Sequence, residues 1–117
     1  MMPFSNIQRY WLYTLSTDMR KSFDGLSRLV SVEMGQDLLG GDVFIFINRR
    51  RDCIKLLVWD RTGFVIWYKR LESGTFEVPQ AVPGSKEVEI RWEELVMVLE
   101  GIRLKSVKRR KRYALSV

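Results

Sequence analysis

Between residues 43 and 70 bulky β-forming side chains recur with a period of two, broken by turn residues at short spacing. That rhythm predicts consecutive strands joined as hairpins. Val43, Ile45 and Ile47 alternate with Phe44, Phe46 and Asn48, so both faces of the first of these strands are apolar. Such a strand belongs at the centre of a sheet, covered on at least one side by a helix. Residues 53–59 and 64–70 read as the next two strands. Asp60-Arg61-Thr62-Gly63 joins them, with Gly63 free to take a positive φ. Glu72-Ser73-Gly74 marks a further turn, and residues 75–78 read as a short last strand before Pro79. Upstream, the aromatic and β-branched run at residues 9–15 reads as a first strand.

The rhythm changes between these strands. Met19, Phe23, Leu26, Val30 and Met34 follow one another at helical steps, which predicts a helix over residues 17–34. Ser16, Thr17 and Asp18 offer N-capping oxygens, and Gly35 a stop. Gly25 inside that helix costs about 1 kcal/mol relative to alanine, a cost that close packing on the sheet can offset. Residues 80–86, with Pro83-Gly84, read as an exposed loop and residues 87–90 as an edge strand. Trp92, Leu95, Val96 and Leu99 mark a second amphipathic helix. Glu93 and Glu94 suit its N-terminal dipole, and Gly101 with Ile102 its C-terminal cap. The expected fold class is α+β: an antiparallel meander sheet of about four to six strands, packed with one helix in the N-terminal half and one at the C-terminal end.

A chain of 117 residues is long enough for one core and not for two. It contains no run of 18 apolar residues to span a membrane, and its first residues lack the pattern of a secretory signal. The lone Cys53 allows no internal disulfide and agrees with the reducing cytoplasm. The net charge of +6 sharpens when it is divided. Arg103, Lys105, Lys108, Arg109, Arg110, Lys111 and Arg112 are seven positive charges with no acid among them. Without those seven, the 20 basic residues fall to 13 against 14 acidic ones, so the rest of the chain sums to −1. The expected organisation is a single domain over residues 1–102 and a basic tail over 103–117. Such a tail attracts polyanions or merely keeps the chain soluble.

Candidate chemistry is narrowed by what is missing. The chain has no histidine, which removes the commonest general base and the commonest transition-metal ligand. Cys53 has no second cysteine for a zinc site and reads as a small buried residue. Asp18, Asp24, Asp60 and Glu72 are the carboxylates to weigh for a two-metal nuclease. Each has a local duty instead, as cap, turn former or ion-pair partner, and the spacing brings no three together. No phosphate-binding glycine loop of the Walker type occurs. No catalytic residue, metal site or cofactor is therefore expected.

The basic residues are the richer signal. Arg20 and Lys21 lie off the apolar stripe, and Arg49, Arg50 and Arg51 fill one turn. Lys55, Lys69 and Arg70 sit on strands near Trp59, Trp67 and Tyr68. Alternate turns of a meander emerge at opposite ends of the sheet. The 49–51 turn and the end of the 64–70 strand should therefore share one end, with the Asp60 turn at the other. Guanidinium groups beside aromatic rings can meet a phosphate backbone or bases. The plain alternative is a solvated face whose arginines pair with Asp24, Asp52 or Glu72.

Two blocks of the chain also resemble a known family. The first is Thr17-Asp18-Met19-Arg20-Lys21-Ser22-Phe23-Asp24-Gly25-Leu26. The second is Asn48-Arg49-Arg50-Arg51-Asp52, Ile54-Lys55, Trp59-Asp60, Gly63-Phe64 and Trp67-Tyr68-Lys69-Arg70-Leu71-Glu72. Together with Leu99-Glu100-Gly101-Ile102 they resemble the hallmarks of TnpB, the accessory protein of the sixty-six class of bacterial insertion sequences. (The RNA-guided nuclease that shares the name is unrelated.) The likeness covers roughly residues 10–103. It implies participation in DNA transposition beside a separate transposase. The leading expectation is a non-catalytic factor that binds element DNA or the transposase–DNA complex. Its nucleic-acid-binding residues would be Arg20, Lys21, Arg49, Arg50, Arg51, Lys55, Lys69 and Arg70, with Lys105, Lys108, Arg109, Arg110, Lys111 and Arg112 of the tail. The alternatives are a protein-interaction module that recruits or regulates the transposase without touching DNA and, behind it, a metal-dependent nuclease.

Overall fold

The strand read at residues 43–47 is the middle of a five-stranded sheet. A computed structural model describes residues 4–101. In chain order they form β1 (Tyr10–Tyr13), α1 (Phe23–Arg28) continued by a π-helical segment (Leu29–Met34), and β2 (Val43–Ile47). Then follow β3 (Cys53–Asp60), β4 (Gly63–Arg70), β5 (Glu87–Ile90) and α2 (Trp92–Leu99). The sheet order is β4-β3-β2-β1-β5. All five residues of β2 are buried, as its two apolar faces require.

The sheet is mixed, where an antiparallel meander was expected. The β2-β3-β4 part is antiparallel, but β1 pairs with β2 in parallel, Tyr10 opposite Val43 and Leu12 opposite Ile45. A parallel neighbour needs a crossover, and α1 with its π-helical continuation supplies it. On β1's other side β5 is antiparallel, with Tyr13 opposite Glu87 and Tyr10 opposite Ile90.

Each face of the sheet has its own helix. Leu12, Ile45, Ile54, Leu56 and Trp67 pack on one side with Phe76 and with Leu95, Val98 and Leu99 of α2. Tyr13, Phe44, Phe46 and Leu57 pack on the other with Leu26, Val30 and Met34. Each fully buried side chain of this size contributes about 1.5–3 kcal/mol.

The first helix begins later than its stripe predicts. Leu26 N–H donates to the Ser22 carbonyl, and only an isolated turn, closed by Lys21 N–H on the Asp18 carbonyl, precedes it. Residues 17–22 are held otherwise: Asp18 accepts from the Arg20 N–H, and the Met19 and Lys21 carbonyls accept from Lys55. Leu26, Val30 and Met34 lie four apart, and in a pure α-helix such a stripe drifts by about 40° per step. The wider i→i+5 turns of residues 29–34 take that drift back and keep all three on the sheet. Gly35 ends the segment at φ 64°, as expected.

Two smaller expectations differ. Residues 75–78 form no strand, although Phe76 N–H donates to the Arg51 carbonyl and its ring is fully buried. In the β3–β4 turn the positive φ falls on Arg61 (54°) rather than on Gly63. No helix among the described residues is long and apolar enough to cross a membrane.

Candidate nucleic-acid interface

Backbone bonds from Asn48 N–H to the Cys53 carbonyl and from Arg51 N–H to the Asn48 carbonyl close the β2–β3 turn, and one side chain braces it. Asn48 Oδ1 accepts from the Cys53 N–H at 3.0 Å while its Nδ2 donates to Asp52 Oδ1 at 2.6 Å. That bond holds the Asp52 carboxyl below its ordinary pKa, with Arg50 adding a smaller electrostatic pull. Between these anchors Arg49, Arg50 and Arg51 are exposed. Arg51 stands at φ 61°, a conformation that costs a non-glycine residue about 1–2 kcal/mol. Among the described residues no carboxylate lies within ion-pair distance of these three guanidinium groups.

Other basic groups reach the same end of the sheet. Cys53 pairs with Arg70, so the turn and the end of β4 emerge together, while Asp60 and Gly63 close the opposite end. Arg70 is exposed, with a loose ion pair to Glu72 at 3.7 Å. Because β1 is parallel to β2, the segment after Tyr13 also leaves at this end, and Thr17 N–H donates to the Ile47 carbonyl at 2.9 Å. That segment carries Lys21 and Arg20. Arg20 grips Asp18 through Nε and Nη2, which holds the Asp18 carboxyl at about 2.

Two of the expected basic contacts are turned inward. Lys55 is only 8% exposed; its ammonium donates to the Met19 and Lys21 carbonyls, both at 2.8 Å, and sits 4.9 Å from the Tyr68 ring centre. Lys69 Nζ donates to the Leu99 carbonyl at 2.7 Å. The sequence did hold a signal for Lys55. It lies in phase with Cys53 and Leu57, on the face that α1 covers. Trp67 is packed against the core, and Trp59 meets Phe64 edge-on near the far end of the sheet. Lys105, Lys108, Arg109, Arg110, Lys111 and Arg112 lie outside the described residues.

The carboxylates do not converge. Asp18 serves Arg20 and Glu72 faces Arg70. Asp60 closes the far turn, where its main-chain carbonyl accepts from Thr62 N–H. No group of three possible metal ligands occurs among the described residues.

A cleft that sequence reasoning missed opens beside the arginines. It measures about 750 Å³ and lies where the parallel strands β1 and β2 end, between Ser16 and Asn48 on the strand side and Val78 to Ala81 on the loop side. Crevices at the carboxyl ends of parallel strands are favoured ligand sites. Arg49 and Arg51 form part of its wall.

Comparison with known proteins gives this arrangement a family. Residues 8–109 match the family described as IS66 Orf2 like protein, a span that runs from β1 through the arginine turn and beyond α2. Uncharacterized protein y4jC of Sinorhizobium fredii is 31% identical over 102 residues, 87% of this chain and 86% of its own. Uncharacterized protein y4hO of the same organism is 32% identical over 102 residues, 87% of either chain. No solved structure matches the chain. The match extends over most of the chain and includes both signature blocks, so the chain belongs to the IS66 Orf2-like family, accessory proteins associated with transposition.

Proposed function

We propose that this accessory protein is non-catalytic and binds the DNA of its element in the cytoplasm, alone or as part of the transposase–DNA complex. One observation carries the reading. Arg49, Arg50 and Arg51, free of carboxylate partners among the described residues, share one end of the sheet with Arg70, Arg20 and Lys21. α2 also ends there, because Lys69 donates to the Leu99 carbonyl, and the seven-charge run of residues 103–112 follows in sequence. Guanidinium groups without internal partners suit phosphate oxygens, which they bind bidentately. Lys55 and Lys69, whose ammonium groups are spent on backbone carbonyls, take no part.

The test is a salt series. Full-length protein and a form lacking residues 103–117 are titrated against element ends and random duplex DNA. Affinity should fall steeply with salt for the full chain, because each neutralised phosphate releases counterions. The truncated form should bind orders of magnitude more weakly with a flatter slope. Equal affinity and slope would remove the tail from the interface.

A second reading, recruitment of the transposase without DNA contact, has one observation in its favour. β4 is an edge strand of eight residues whose outer side pairs with no described strand, and it exposes Val65 and Tyr68. Such edges accept an added strand from a partner. Transposase capture by a protein with no DNA affinity at low salt would favour it.

A further inference from the structure

Sixteen residues separate Arg70 from Glu87, and they contain neither helix nor strand. Irregular loops longer than about 12–15 residues are uncommon in small domains and usually carry function. The course of this one is fixed at three points. It leaves β4 opposite Cys53. Its middle is anchored by buried Phe76, whose N–H donates to the Arg51 carbonyl. It arrives at β5 where Thr14 donates to the Lys86 carbonyl through its N–H and to the Ser85 carbonyl through its hydroxyl. The loop therefore crosses the basic end of the sheet from one edge to the other, over the ends of β3, β2 and β1. The cleft of about 750 Å³ is the space it leaves above those strand ends.

The walls of that space are of mixed chemistry. Arg49 and Arg51 contribute charge, Leu15, Pro79 and Ala81 apolar surface, and Ser16 and Gln80 neutral hydrogen-bonding groups. Pockets of about 300–1,000 Å³ hold one small organic molecule. B-form DNA cannot enter: its major groove alone is about 12 Å wide, whereas a cube of the cleft's volume has sides of about 9 Å. One nucleotide can. Its phosphate answers the two guanidinium groups, and its base can lie on an apolar wall while neutral groups reach its edge.

We propose that this cleft holds one unpaired nucleotide of a single DNA strand, its phosphate on Arg49 and Arg51 and its base against Pro79 and Ala81. The inference rests on the DNA-binding reading above and adds to it a preference for a strand with an unpaired base. Unstacking such a base costs least where the DNA is already single-stranded or mismatched.

The experiment follows backbone amide shifts of the isotopically labelled full chain. Four probes are titrated: a thymidine tetranucleotide, thymidine 5′-monophosphate, inorganic phosphate and a blunt duplex. The tetranucleotide should move Ser16, Gln80 and Ala81 and bind about tenfold tighter than the monophosphate, while inorganic phosphate should move only the 49–51 turn. Ala81→Phe, which fills the cleft from its loop side, should weaken the tetranucleotide about tenfold and leave duplex affinity and its salt slope unchanged. A duplex that binds normally while the tetranucleotide leaves those amides still, or binds the Ala81→Phe protein as well as the native one, overturns the inference alone. A monophosphate that binds as tightly as the tetranucleotide assigns the cleft to a free nucleotide and overturns its role on DNA. Failure of both duplex and tetranucleotide to bind sinks the DNA-binding reading, and this inference with it.

Discussion

Lys69 donates to the carbonyl of Leu99 across 2.7 Å, tying the end of α2 to the last residues of β4. The final carbonyls of a helix have no partner within it, and an ammonium group there also answers the negative end of the helix dipole. The contact brings the end of α2 to the end of the sheet that bears the arginine turn.

Lys69→Met keeps the aliphatic stem and removes the donor. It should lower stability by about 1–2 kcal/mol, the range for a hydrogen bond made by a charged group that is only partly buried. Urea unfolding measures this loss. The salt slope of DNA binding should not change, because this ammonium is already engaged.

Lys55→Met tests the larger internal contact. The Met19 and Lys21 carbonyls would lose their common donor, at a cost of about 2–3 kcal/mol. Amide hydrogen exchange should accelerate in residues 19–22 first, since Lys55 ties that stretch to the sheet while the Thr17–Ile47 bond stays in place. Unaltered exchange there would show that the segment is held by other contacts.

These two lysines also show where the sequence stops being legible. Period two exposed the strands that became β2, β3 and β4, and helical spacing exposed α2, because each pattern reflects one element's own buried face. Pairing is not written in such patterns. β1 finds β2 some thirty residues away and β5 further still, and alternation reveals a strand without revealing its neighbour. The start of α1 was hidden for the same reason: Thr17 and Asp18 fit a cap, but Lys55 claims the local carbonyls from a distant strand. Within the candidate site, the shared end of the 49–51 turn and Arg70 followed from hairpin geometry alone. The cleft did not, since it depends on how residues 71–86 cross the strand ends, and no periodicity marks that path.

Burial pushes the Tyr10 hydroxyl up to about 12 from its ordinary 10.0. A group whose pKa is raised on folding stabilises the native state fully below its unfolded value and loses that contribution as pH rises through the folded one. Stability should therefore be level up to about pH 10 and decline from there towards pH 12. Tyr10→Phe should flatten the decline, as followed by circular dichroism against tyrosinate absorbance.

The non-catalytic reading is testable directly. Purified protein incubated with magnesium and element DNA should leave the strands intact, and Asp24→Asn and Asp60→Asn should change nothing in that assay. Chelator-sensitive cleavage abolished by either substitution would overturn the non-catalytic reading.

The salt dependence of DNA binding, compared between the native chain and one carrying Arg49→Gln, Arg50→Gln and Arg70→Gln, tests the central claim most directly. Exposed glutamines should alter stability by less than about 0.5 kcal/mol, so both proteins should unfold at the same denaturant concentration. Each lost phosphate contact removes about 0.9 from the slope of log affinity against log salt. The account predicts a slope shallower by about two to three and a matching loss of affinity at low salt. An unchanged slope in a folded triple variant would contradict it.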